Sequence, residues 1–109
     1  MAIDINSIVS TTLEKSEELA KTLFRNYVGQ AKKDVEDFLK ASKEGIERAA
    51  KLRLEGKIDD EDLEDLVLGK KDLALMHALK QAGLAKAAVD TFVNGVVQIL
   101  VDAVFAAIP

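Results

Sequence analysis

The stretch LAKAAVDTFVNGVVQILVDAVFAAI, residues 84–108, decides the architecture, because it holds more apolar surface than one neighbour can cover. Beyond Lys86 it has no basic residue, and its strongly polar side chains are Asp90, Asn94, Gln98 and Asp102 at intervals of four. In a helix each step of four advances about 40° past a full turn, so this polar line winds around the helix and marks no single solvated face. Phe92, Val96, Val97, Ile99, Leu100, Ala103, Val104 and Phe105 then need two or more neighbours. The cover can come from the chain folding back, from a second copy, or from lipid.

The rest of the sequence favours a second copy. Steps of 4, 3, 4, 4, 3, 4 from Val9 meet Val9, Leu13, Ser16, Ala20, Phe24, Tyr27, Ala31, Val35, Phe38, Ser42, Ile46, Ala49 and Arg53, of which ten are apolar. Steps of seven meet Ser16, Leu23, Gln30, Asp37, Glu44 and Lys51, so the repeat is eleven and not seven. Eleven residues over three turns is close to the natural helical period, so the stripe predicts one nearly straight helix over about residues 6–55. Such a helix is about 75 Å long, too long for a compact monomer unless it bends. Acid-first pairs such as Glu17 with Lys21 and Glu36 with Lys40 give it a solvated outer face. Asp4, Asn6 or Ser7 can cap its start, and Gly56 suits the left-handed position after its end.

Residues 56–58 form the turn. Asp59 is placed to cap a second helix, with Ile58 packing on Leu63. Helical segments are expected at about 59–68, 71–82 and 84–108, with a break near Gly69, where Asp72 offers a new cap, and a tolerated glycine at Gly83. The predicted fold is all-α: residues 1–109 as a single helical domain, arranged as a long antiparallel hairpin or the same hairpin kinked into three or four helices. Two such chains would form a homodimeric bundle, with Phe92, Val96, Ile99, Leu100, Ala103 and Phe105 as the self-association interface.

Composition narrows the function classes. Residues 1–55 balance ten basic against ten acidic side chains, and residues 56–109 carry five against nine. A weakly acidic chain with no basic tract has no footprint for a phosphate backbone, so no nucleic-acid partner is expected. The absence of cysteine excludes disulfides and thiolate metal sites and fits a reducing compartment, with the cytoplasm as the expected location. The N-terminus shows neither a basic leader nor a long apolar stretch. Asn94, Gln98 and Asp102 oppose a spanning helix, and aspartates on the polar face oppose anionic lipid, so a membrane, lipid or granule surface is the alternative partner.

No residue set points to catalysis, a cofactor or a metal. His77 is the only histidine, and the residue three before it is alanine, so the Glu-x-x-His motif of a helical di-iron site is absent. The acids from Asp59 to Asp65 lack the glycine that a calcium loop needs at its sixth position, and read as helix-start acids complementing the dipole. Tyr27, Ser16 and Ser42 lie on the apolar stripe and read as packing residues. No phosphate-binding glycine pattern or nucleophile elbow occurs. The expected role is non-enzymatic: a self-associating scaffold, adaptor or regulator that can also take a protein partner.

Overall fold

A computed structural model, described over residues 3–108, contains helices and no strand among the described residues. The helices are α1 (Ile5–Leu23), α2 (Val28–Leu54), α3 (Asp60–Leu68), α4 (His77–Gln81) and α5 (Lys86–Ala107), with a 3-10 segment at Gly69–Leu73. The principal extents are 44 × 21 × 19 Å.

The predicted single helix over 6–55 is instead two helices, broken at Phe24–Tyr27. Asp4, of the three candidate caps, starts α1 by accepting from the Ser7 amide at 3.1 Å. At the break Phe24 leaves helical geometry at φ −135°, ψ 58°, and its ring drops into the core against Phe92 of α5. The rings meet edge to face, with centroids 5.2 Å apart. Asn26, Tyr27, Val28 and Gly29 are all weak helix formers, so local propensity does little to resist the break. The turn reverses the chain: Lys43 Nζ donates to Asn6 Oδ1 at 3.4 Å, so α1 runs back along α2.

The eleven-residue stripe keeps its meaning across the break. Ser16, Ala20, Phe24, Ala31, Val35, Phe38, Ser42, Ile46 and Ala49 are all buried. Only in the first turns of α1 does the buried row shift by one residue, to Ile8 and Thr12 in place of Val9 and Leu13. The Ser42 hydroxyl donates to the Phe38 carbonyl at 2.8 Å, whereas the Thr12 and Ser16 hydroxyls are buried with no hydrogen-bond partner among the described residues.

The two glycine-marked ends behave alike. Gly56 has φ +75°; its amide donates to the Arg53 carbonyl at 3.1 Å and the next amide, of Lys57, reaches Leu52 at 3.0 Å. Gly83, at φ +86°, repeats the pattern, with its own amide on Lys80 and that of Leu84 on Leu79. Both are left-handed helix stops that satisfy otherwise orphaned carbonyls. The expected tolerance at Gly83 is therefore overturned, whereas α3 ends at Leu68 beside Gly69, where the break was expected, although as a change to 3-10 winding and not as a turn. Gly69 sits at φ −61°, in helical geometry, and the chain leaves the helical path only at Ala74–Met76. The expected helix over 71–82 becomes the end of the 3-10 segment followed by α4.

Asp59 caps α3 as its position predicts: its carboxylate accepts from the Asp62 amide at 2.8 Å, and Asp62 returns the contact to the Asp59 amide at 3.2 Å. Arg53 at the end of α2 reaches Asp60 at 2.6 Å. From there the chain runs back along α2. The Lys70 side chain lies over Gly45, and Asp34 meets Ala78 and Leu79. α2 is thus a spine, flanked by α1 on one side and by residues 60–81 on another. α5 packs on the layer formed by α1 and residues 60–81 and not on α2; it runs antiparallel to α1, with Gly95 against Leu19 and Ala103 near Ile8.

Candidate functional site

The residues proposed from sequence as a self-association interface lie mainly inside the fold. Phe92, Val96 and Leu100 have no exposed surface and Ala103 is 7% exposed, while Ile99 and Phe105 are half-buried. Their neighbours are α1 and α3 of the same chain. The apolar excess of α5 is real, and the break at Phe24–Tyr27 lets the chain cover it. The whole chain exposes 6435 Å², near the roughly 5,900 Å² expected of a monomeric protein of 11.8 kDa. On α5 the large apolar side chains left partly open are Ile99 and Phe105.

The most constrained polar group is Asp34 on α2, 3% exposed. Its Oδ1 accepts from the Ala78 amide at 2.9 Å and its Oδ2 from the Leu79 amide at 2.8 Å. Two of the orphan donors at the start of α4 are thereby satisfied by a carboxylate 44 residues earlier, which also complements the positive end of the helix. The residue before α4, Met76, carries no such cap and adopts φ +53°, a left-handed conformation uncommon outside glycine and asparagine. Met76 is nevertheless buried, so packing and the Asp34 bonds together hold this turn.

Beside that turn, α2 and Leu73–His77 enclose a cleft of about 110 Å³. Phe38 and Met76 line it together with Asp37, Leu73 and Leu75. His77 stands at its rim as the exposed first residue of α4. No group of three or more metal-ligating side chains gathers anywhere among the described residues. Tyr27 is half-buried against the core, and Ser16 and Ser42 are buried. None of them is brought next to His77.

What sequence reasoning passed over is the distribution of exposed leucines. Among the described residues the exposed large apolar side chains are Leu23, Leu66, Leu68, Leu73 and Leu75, at 39–51% exposure. Four of the five fall within ten residues, on the end of α3, the 3-10 segment and the turn after it. Their signal was available: Leu66, Leu68, Leu73 and Leu75 cannot all share one helical face, so a short helix must leave some outside.

Comparison with family models, with curated proteins and with solved structures finds no match for this chain.

Proposed function

We propose that this chain is a non-enzymatic helical interaction module that self-associates, serving as a scaffold, adaptor or regulator, and that its contact surface is the leucine edge from Leu66 to Leu75. The observation carrying this reading is that four exposed leucines fall within residues 66–75 and that two of them, Leu73 and Leu75, line a cleft with Phe38 and Met76. Clustered apolar side chains with a neighbouring recess are the usual make-up of a contact surface, whereas singly scattered ones are not. The interior of α5 serves the fold in this reading, and partners meet the outside of the opposite layer.

Light scattering across a concentration series at near-physiological salt tests it. The expected result is a mass above one chain that falls to one chain in Leu66→Asp and Leu75→Asp, both at exposed positions. A mass of one chain at every concentration overturns the reading.

A second reading follows from α5, which is long and apolar enough to cross a membrane, although 44% of its most apolar window is buried in the fold. In that reading the helix leaves its bundle to enter lipid. Flotation with neutral phosphatidylcholine vesicles, lost when Ile99 and Phe105 are made charged, is the result that would favour it.

A further inference from the structure

The charged residues are sorted along the molecule. Residues 19–33 contain Lys21, Arg25, Lys32 and Lys33 and no acid, and residues 73–89 contain Lys80 and Lys86 and no acid. The fold brings these two stretches to the same end, through the Phe24 ring on Phe92, Leu19 against Gly95, and Asp34 bound to Ala78 and Leu79. Residues 58–69 contain Asp59, Asp60, Glu61, Asp62, Glu64 and Asp65 and no base. They start beside Arg53, at the far end of α2. α2 extends about 40 Å, and Lys70, two residues past Leu68, lies over Gly45, so the Glu64–Leu68 face is separated from the basic end by more than half of the 44 Å length of the molecule.

Part of this charge is used internally. Lys33 pairs with Asp37, Asp60 with Arg53, and Asp59 and Asp62 cap α3. Lys21, Arg25 and Lys32 on one end, and Glu61, Glu64 and Asp65 on the other, are exposed and form no ion pair among the described residues. Each end also carries exposed leucine. Leu23 stands between Lys21 and Arg25, while Leu66 and Leu68 follow Glu64 and Asp65.

We infer that the chain associates head to tail with copies of itself, the Lys21–Leu23–Arg25 tip of one molecule docking on the Glu64–Leu68 face of the next. The inference rests on the self-association reading above and specifies its geometry. The occupant is a second copy because each end offers the charge that the other lacks, and both carry an exposed leucine to anchor the contact. Made head to tail, the contact leaves one basic tip and one acidic face free in every pair, so it continues into an open chain or a ring, whereas two molecules lying antiparallel would satisfy both contacts at once and stop at two. Opposed charges at the rim steer the encounter, and the leucines at the centre exclude water from it.

Two charge-reversed variants at exposed positions test this: Lys21→Glu with Arg25→Glu, and Glu64→Lys with Asp65→Lys. Wild-type mass is expected to grow past two chains with concentration, and its apparent affinity to drop about tenfold between low and high salt as the charges are screened. Each variant alone is expected to stay at one chain. An equimolar mixture is expected to associate again past two chains, because the intact basic tip of one variant meets the intact acidic face of the other, and the reversed tip meets the reversed face with the charges exchanged. That recovery also shows both variants to be folded. If wild type associates but stops at two chains, or if the variants associate as well as wild type, the head-to-tail geometry is wrong and the self-association reading stands. If wild type is one chain throughout, both fail.

Discussion

α4 and α5 are separated by only four residues and are held in opposite ways. α5 has no side-chain cap at its start, no acid in its first turn and no base in its last, yet nine of its 22 residues are buried. α4 has five residues, a single buried side chain in Leu79, and a left-handed methionine in front of it. A helix that short does not persist on its own, because the cost of its first turn is not recovered by propagation. Burial makes every terminal signal dispensable in α5, whereas in α4 one carboxylate from another helix stands in for the burial it lacks.

The largest effect is expected where burial carries the helix. Phe92→Ala removes a fully buried ring and its edge contact with Phe24, and should lower the unfolding free energy by about 3–5 kcal/mol, read as a reduced urea midpoint. A loss under about 1 kcal/mol would mean that α5 is not packed as described. Asp34→Ala leaves the Ala78 and Leu79 amides without their acceptor and is expected to cost about 2 kcal/mol. Hydrogen exchange should show those two amides losing protection well before the amides of α5. Asp34→Asn, which keeps one acceptor oxygen, should recover part of the loss; unchanged protection at Ala78 would remove the carboxylate from its role. The smallest effect separates the two glycines flanking this region. Gly83→Ala forces a side chain to φ +86° and should destabilise by about 1 kcal/mol, while Gly69→Ala, at φ −61° with open space around it, should raise the thermal midpoint slightly. Equal shifts of one sign would contradict the different conformations of the two positions.

The inward faces could be read from the sequence to a large extent, and so could the local stops. Ala31, Val35, Phe38, Ser42, Ile46 and Ala49 follow from the eleven-residue step, Gly56 from its place after Arg53, and Asp59 from the acids behind it. The break at Phe24–Tyr27 escaped because Ala20, Phe24, Tyr27 and Ala31 fall on the stripe whether or not the helix continues between them. Periodicity reports which side is apolar and is blind to a turn that preserves the phase. Asp34 escaped for another reason. Beside Lys32 and Lys33 it looks like part of a solvated exterior, and its partners are backbone amides 44 and 45 residues away that no side-chain pattern reveals. The candidate surface is masked in the sequence by α5, the segment richest in apolar area, whose excess is consumed by the fold.

By itself the sequence determined that this protein is helical, which faces of its long segments turn inward, and that α5 must be covered from more than one side. Those properties come from backbone propensity and from the spacing of apolar residues, and both are local. Only the tertiary structure decided that the cover comes from the same chain, and hence which apolar side chains remain outside. Hydrophobic burial has no direction and no preference between a neighbour in the chain and a neighbour in solution. The choice was made by one four-residue turn that sends α1 back along α2.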